Sequence, residues 1–201
     1  MARRSRHTKE ELQALIVEAT LELVQARGSD HVTARRIAEA IGYTPGMLYA
    51  AFTNLQEILL HVNAVSLEML HSDCTAARRG ADRPEASIRA MGLAYLAFAE
   101  HHTHQFDLLF QRVEFAELNV PPTLGQRIRS LFGLIEEELA ALDPAADERR
   151  LQLGARALWS GVHGTAALAL SNQLYLDREH ADREIVDALI TRFVGSWRGG
   201  A

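Results

Sequence analysis

Residues 33–52 read TARRIAEAIGYTPGMLYAAF. Thr33 is a typical helix N-cap, and apolar residues then recur at a helical spacing until Gly42, a residue that tolerates a left-handed backbone. Pro45 suits the first turn of a helix, so a second short helix is predicted to end near Phe52. Two short helices joined by a three-residue turn form a candidate helix-turn-helix.

Small and apolar side chains are expected where these two helices face each other, because the first helix must brace the second. The second helix also has a side of small residues, and that side permits a close approach to the major groove of DNA. The bracing residues are Ile37, Ala38, Ile41, Leu48 and Phe52, and those on the groove side are Pro45, Gly46 and Met47.

The remaining chain repeats the helical period almost throughout, without strand alternation. Thr8 and Glu11 form a capping-box pattern for a first helix that Gly28 ends. We predict an all-α fold of about nine helices, with a three-helix domain over 1–54 and a helical bundle over 55–201. The further predicted helices cover Leu55–Arg78, 85–101, 103–117, 122–141, 147–174 and 182–197.

Composition narrows the possible classes of protein. The chain has 201 residues, 48% of them apolar, which is ordinary for a globular protein. It has no uninterrupted apolar run long enough for a transmembrane helix and no signal-peptide pattern, so we expect a cytoplasmic protein. Cys74 is the only cysteine, and with only Arg78 as a basic neighbour a redox role is disfavoured.

Charge is distributed unevenly along the chain. The net charge is −5, which argues against nucleic acid as a partner of the whole surface. The first 54 residues hold 7 basic and 6 acidic residues, whereas residues 55–201 hold 14 and 20. Nucleic acid is therefore expected at the N-terminal end only.

The stretch 33–52 resembles the DNA-binding domain of the TetR family without a gap. The family pattern is a Thr cap, Ile-Ala, Gly-aliphatic-Ser/Thr, a Leu-Tyr pair and a Phe. The resemblance implies a transcriptional regulator, most often a repressor, and not an enzyme. It further implies a homodimer on a pseudo-palindromic double-stranded DNA operator, released by a small effector. The aromatic residues of the candidate pocket named below indicate that the effector is mostly apolar. We expect no cofactor and no membrane contact.

The same resemblance implies which residues contact DNA. Thr33, Thr44 and Tyr49 match positions that contact phosphate, while Arg35 and Arg36 reach phosphates or form a solvated helix face. Asn54 is expected to cap the fourth helix and to bond a phosphate. The positions that meet bases are Tyr43, Pro45, Gly46 and Met47.

Two positions depart from the family pattern. Leu55 stands where a phosphate-binding Lys is usual, and Ala51 where a His is common. The N-terminal arm has basic residues that contact DNA or form a solubilising tail. These residues are Arg3, Arg4, Arg6 and Lys9.

Trp159 and His163 share a helix face, and the Trp-x-x-x-His-Gly pattern resembles the C-terminal domain of one branch of the family. Residues 95–110 resemble a second segment of that branch. The resemblance places an effector pocket inside the bundle, although core packing is the alternative for each residue and a structural hydrogen bond is the alternative for His163. Its candidate lining residues are Met69, Met91, Tyr95, Phe98, Phe106, Phe110, Trp159 and His163.

The last two helices resemble the family's dimerising pair. Gly161 and Gly164 are costly inside a helix unless another backbone comes close. The final helix has an apolar stripe that either packs in the core or meets a second copy. The stripe consists of Val186, Leu189, Ile190, Phe193 and Trp197.

Two other functions remain as alternatives. A metal-responsive regulator would use His101, His102 and His104, but adjacent histidines on a helix diverge by about 100°. A helical enzyme would use His163 or the same histidines. The sequence has no nucleophile elbow, metal-ligand spacing or phosphate loop that would support one.

Overall fold

The computed structural model describes residues 7–111, 120–176 and 180–197. These residues form nine α-helices and one short 3-10 helix, without a strand, which confirms the all-α prediction. None of the described helices is long and apolar enough to span a membrane. The helices are α1 (Lys9–Arg27), α2 (Ala34–Ile41), α3 (Pro45–Ala51), α4 (Leu55–Arg79), α5 (Pro84–His101), α6 (Thr103–Phe110), α7 (Pro122–Leu142), α8 (Glu148–Leu170) and α9 (Ala181–Trp197).

The described residues form two compact units. The first contains the chain up to Leu67 and the residues from His104 to Gly125. The second contains Glu68–Thr103 and the chain from Gln126 onward. The helix α4 is continuous in sequence through both units.

The predicted signals for the first three helices are confirmed. The Thr8 hydroxyl accepts a bond from the Glu11 amide at 3.2 Å, and the Glu11 carboxylate accepts one from the Thr8 amide at 2.7 Å. Gly42 has the left-handed conformation, with φ 70° and ψ 33°. The Tyr43 amide donates to the Ala38 carbonyl at 2.9 Å, which closes the end of α2.

The core of the first unit lies among α1, α2, α3 and the start of α4. Ile37 and Leu48 are completely buried in it. Burial of such side chains stabilises a fold by about 1.5–3 kcal/mol each. Of the predicted bracing residues, only Ile41 remains half-buried at the margin of this core. The buried set includes Leu12, Ile16, Ile37, Ala38, Leu48, Phe52, Ile58 and Val62.

In the second unit, glycines allow α9 to pack closely against α5 and α8. A Cβ on Gly92 would lie 2.8 Å from the Ile190 methyl, and one on Gly161 would lie 2.6 Å from a Leu189 methyl. The residue that comes close at Gly161 is therefore the side chain of Leu189 and not the backbone of another helix. Around Gly164, no described atom outside the adjacent residues and the backbone of its own helix lies within 4 Å of the Cβ position.

The C-terminal end of α9 is fixed by Trp197. Its indole N–H donates to the Leu139 carbonyl at 3.1 Å, and the Arg150 guanidinium lies 4.6 Å from the ring centroid. Val186, Ile190 and Trp197 are therefore buried inside the unit. This part of the predicted stripe packs in the core because α5 and α8 cover it.

The predicted end of the helix over 147–174 is wrong by four residues, because α8 ends at Leu170. Asn172 has φ 54°, and the amides of Asn172 and Gln173 bond the Ala169 and Leu168 carbonyls at 2.9 and 2.7 Å. This is the Schellman ending of a helix. The predicted helix over 103–117 is observed to Phe110, and its residues 112–117 lie outside the described ranges.

Gly42 and Gly46 provide a matched pair for testing the turn, since a Cβ on either one meets no described atom within 4 Å. Only Gly42 has a positive φ. We expect Gly42→Ala to lower the free energy of unfolding by about 1–2 kcal/mol. Gly46→Ala should leave it unchanged or raise it by less than about 1 kcal/mol. Urea denaturation followed by circular dichroism measures both values, and equal effects would contradict a left-handed Gly42.

Candidate functional site

The exposed side of α3 and the turn before it form a surface of small residues. Thr44, Pro45 and Gly46 are exposed, Met47 is half-buried against the core, and Tyr49 is 53% exposed. We call these five residues the α3 surface. Because Leu48 is buried beneath it, the α3 surface is held by the core of the first unit.

Thr44 occupies the N-cap position of α3, although its hydroxyl makes no capping hydrogen bond. Pro45 at the first helical position presets the helix instead. Thr33, in contrast, caps α2 by accepting a bond from the Arg36 amide at 3.3 Å.

The two arginines of α2 are exposed and weakly held. The Arg35 Nε lies 2.9 Å from the Glu39 carboxylate, with both side chains more than half exposed. Such surface pairs contribute about 0–1 kcal/mol, so Arg35 can exchange this partner at little cost. The Arg36 guanidinium donates to the His31 carbonyl at 2.6 Å.

Tyr43 is bonded to the start of the chain. Its hydroxyl lies 2.6 Å from His7 Nδ1, a contact that the sequence did not indicate. The Gln13 amide also donates to the Ala51 carbonyl at 2.9 Å, which fastens α1 to the end of α3. Lys9 is the first residue of α1 and is exposed. The predicted arm residues Arg3, Arg4 and Arg6 lie outside the described residues.

Asn54 caps α4 as predicted, because its side-chain oxygen accepts a bond from the Glu57 amide at 2.8 Å. The Glu57 carboxylate accepts a bond from the Thr53 amide in return. Leu55, which replaces the family's usual Lys, packs against the core of the first unit. An apolar contact therefore takes the place of a charged one at this position.

A chain of polar side chains connects α1, α4 and α6 within the first unit. The His104 Nδ1–H donates to the Gln25 carbonyl at 3.0 Å, and the Gln25 amide donates to Gln105 Oε1 at 3.3 Å. Gln105 is buried and donates to the Ser66 hydroxyl at 3.2 Å. We call Gln25, Ser66, His104 and Gln105 the polar relay. The bond from Gln105 to Ser66 is buried and therefore costly to break, whereas the two bonds that join α6 to α1 are exposed or half-buried.

In the second unit, Tyr95, Trp159 and His163 are brought together as predicted, and Phe132 of α7 joins them. The Trp159 and His163 rings are stacked with centroids 5.2 Å apart and planes 16° from parallel. Phe132 meets Trp159 edge-on at 5.6 Å. We call these four residues the aromatic cluster. Phe132 was missed from the sequence, where it is one apolar residue among many on its helix.

Burial keeps the titratable members of the aromatic cluster neutral. The Tyr95 hydroxyl lies 3.0 Å from His163 Nδ1. Burial lowers the pKa of His163 and raises that of Tyr95, so both groups are neutral at pH 7.

The other predicted pocket residues have different surroundings. Met69 is half-buried, and Met91 is buried and accepts a bond from the Cys74 thiol through its carbonyl at 3.9 Å. Phe98 is buried with its ring 4.9 Å from that of His102. In the first unit, buried Phe106 and exposed Phe110 contact each other, with ring centroids 5.0 Å apart.

The residues considered for metal or redox chemistry have other contacts. His101 is exposed, His102 lies against Phe98, and His104 belongs to the polar relay. Among the described residues, no three His, Cys, Asp or Glu side chains are grouped as metal ligands. Burial raises the pKa of the Cys74 thiol to about 12, so it stays protonated and unreactive at neutral pH.

Two family models match the chain. The model for bacterial regulatory proteins of the tetR family matches residues 16–62. The model for the tetracyclin repressor-like C-terminal domain matches residues 88–193, more than half of the chain. The curated proteins contain no match to this chain.

Solved structures share the fold at low identity. A Rhodococcus sp. RHA1 protein of unknown function has 19% identity and a TM-score of 0.74, with all of both chains covered. The regulator FadR from Bacillus subtilis, in complex with stearoyl-CoA, has 11% identity and a TM-score of 0.67 over 90% of this chain and 97% of that one. RolR, in complex with resorcinol, has 16% identity and a TM-score of 0.69 over 95% and 93%.

The lowered pKa of His163 predicts how stability depends on pH. Below about pH 6.5 an unfolded chain protonates this histidine before the folded chain does, so stability falls as the pH drops toward the folded pKa. The imidazole signal of His163 can be assigned in NMR spectra as the one that His163→Gln removes. We expect this signal to titrate with a pKa below 6.5 in the folded protein. A midpoint at or above 6.5 would contradict a neutral, buried ring.

Proposed function

The chain belongs to the TetR family of transcriptional regulators, and we propose that it is a repressor that binds a pseudo-palindromic operator as a homodimer and is released by a small, mostly apolar effector. The observation that carries this proposal is the α3 surface, which is exposed, small and held by a buried core. We assign DNA reading to residues 1–54 and effector binding and dimerisation to residues 55–201. Because a DNA-binding regulator acts on the chromosome, we propose that the protein is cytoplasmic.

We propose that α3 enters the major groove. Pro45, Gly46 and Met47 are small or flexible enough for the backbone to approach base edges and thymine methyl groups, with Tyr43 beside them. Thr44 and Tyr49 are exposed and have hydroxyls that can bond phosphates. At the starts of α2 and α4 lie the other proposed phosphate contacts, Thr33, Arg35, Arg36 and Asn54. The exposed, exchangeable pair of Arg35 supports a role for this side chain at a phosphate.

An apolar stripe on α8 supports the homodimer. Leu153 and Leu168 are 59% and 43% exposed. With Ala157 and Gly164 they recur after four, seven and four residues, a spacing that puts all four on one helix face. We call these four residues the α8 stripe. The open space at Gly164 permits a close approach by a second helix. A twofold axis would bring two such stripes together, with half-buried Leu189 and Phe193 of α9 in the same bundle.

The aromatic cluster supports an effector of mostly apolar chemistry. Trp159, Phe132 and His163 are half-buried and neutral, so they suit a ring or an aliphatic chain better than a charged group. RolR is similar in fold and its complex contains resorcinol, and FadR is similar in fold and its complex contains stearoyl-CoA. These ligands support a small-molecule effector for this chain without naming it.

We infer that the signal reaches α3 through α4 and α6. The polar relay ties α6 to α1, while Gln13 ties α1 to the end of α3. An effector that prefers a conformation with a different half-site spacing would lower operator affinity by a shift in population. The size of the effect is limited by the difference in effector affinity between the two conformations.

Tyr49 tests the DNA-binding surface, and the even more exposed Tyr175 of the second unit is its matched control. We expect Tyr49→Ala to weaken binding to operator DNA by about tenfold or more, because a bond to a charged group is lost. Tyr175→Ala should bind as the unaltered chain does. Fluorescence anisotropy at fixed salt measures both affinities, and circular dichroism checks that each variant folds. Unchanged binding by Tyr49→Ala would contradict the placement of α3 in the groove.

Leu153 tests the homodimer, with Ile128 on α7 as a control of similar exposure. We expect Leu153→Arg to shift the molar mass in light scattering from that of two chains to that of one, because it buries charge in an apolar interface. Ile128→Arg should keep the mass of two chains. A dimer that survives Leu153→Arg would show that the α8 stripe is not the interface.

A further inference from the structure

A cleft of about 610 Å³ in the second unit is separate from the residues of the aromatic cluster. Its walls are the last turns of α5 and α8, residues 172–176, and the start of α9. The volume is within the range of small-molecule sites.

The interior of the cleft is largely aliphatic. Leu96, Leu170 and Leu174 contribute to its lining together with small alanines from three helices. Tyr175 and Leu176 also line it, yet they are 88% and 53% exposed to solvent. Large apolar side chains left exposed beside a cavity are typical of a surface that receives another molecule.

The polar lining of the cleft contains two carboxylates, together with the side chains of Asn172 and His180. Glu100 and Asp182 both line it, and Glu100 lies 3.5 Å from Arg183, which neutralises part of its charge. The Asp182 carboxylate is half-buried, and within the described ranges it has neither an ion-pair partner nor a hydrogen-bond donor. A half-buried carboxylate without a partner at the edge of an apolar cleft favours a bound cation at this point.

The rim of the cleft is formed in a defined conformation. Asn172 and Tyr175 have φ values of 54° and 53°, and the Schellman ending of α8 fixes the first of them. A left-handed backbone is uncommon for a bulky residue such as Tyr175. The tyrosine side chain lines the cleft and is largely exposed, so its ring face can stack on a cation or an apolar group.

We propose that this cleft binds an amphipathic organic cation, with a protonated amine against Asp182 and an apolar body along Leu96, Leu170 and Leu174. Anionic ligands are disfavoured because Asp182 and Glu100 face the same space. The ligand class differs from the neutral, mostly apolar one that the aromatic cluster suits.

A ligand in the cleft can regulate the protein because the walls of the cleft are bonded to the start of α6. Of the statements about the cleft, only this one rests on the proposed function. Ala99 and Glu100, two wall residues, accept hydrogen bonds at 3.2 and 3.1 Å through their carbonyls from the hydroxyl of Thr103. Thr103 is the first residue of α6, the helix that holds the polar relay. A cation bound in the cleft would therefore act on the end of α5 from which α6 begins.

The test compares 4-phenylbutylamine with 4-phenylbutan-1-ol, two probes with the same skeleton, of which only the amine is charged at pH 7. Isothermal titration calorimetry with the full chain, without DNA, measures both affinities. We expect the amine to bind about tenfold tighter than the alcohol, the effect of about 1.4 kcal/mol from one charged contact. Asp182→Asn should abolish this preference.

Two controls sharpen the comparison. Glu184→Gln removes a charge from the first turn of α9 outside the cleft, and it should keep the preference for the amine. Ala169→Trp fills the cleft and should remove binding of both probes. Equal binding of the two probes, or a preference that survives Asp182→Asn, would overturn the cation site. Absence of saturable binding by either probe would overturn the cleft as a ligand site, and neither result affects the operator experiment with Tyr49→Ala.

Discussion

The burial of Ile37 and Leu48 in one core is the contact on which the DNA-reading part of the molecule depends. Both side chains are fully buried, so α2 and α3 are held at a fixed angle by α1 and the start of α4. The inner side of α3 is buried in this core, and its outer side has mostly small residues that remain exposed. Gly42 makes the arrangement possible, since the turn between the helices needs a left-handed residue.

Local signals in the sequence predicted most of the fold. The capping box at Thr8, the glycine at 42 and the proline at 45 each act within one helical turn, and the structure has a helix boundary beside each of them. The end of α8 was mispredicted because the apolar pattern continues past Leu170, while Asn172 turns the chain out of the helix. Asparagine adopts this conformation less often than glycine, so the sequence signal was weak.

The candidate sites were predicted where their residues are close in sequence. Trp159 and His163 share a helix face, and their stacking follows from the helical period. Tyr95, the hydrogen-bond partner of His163, lies 68 residues away, and only a resemblance to known proteins placed it there. Tertiary packing, for which one sequence has no local signal, produces three further features. They are the contact of Phe132 with Trp159, the hydrogen bond between His7 and Tyr43, and the cleft beside Asp182.

We propose that two copies of α3 read two symmetric half-sites. Selection of bound fragments from a random DNA pool, followed by footprinting of the enriched sequence, tests it most directly. We expect an inverted repeat with protection in the major groove. Its half-sites should be centred about one helical turn (roughly 10 base pairs) apart, or a multiple of that distance. A pool without enrichment, or a single half-site without a symmetric partner, would contradict it.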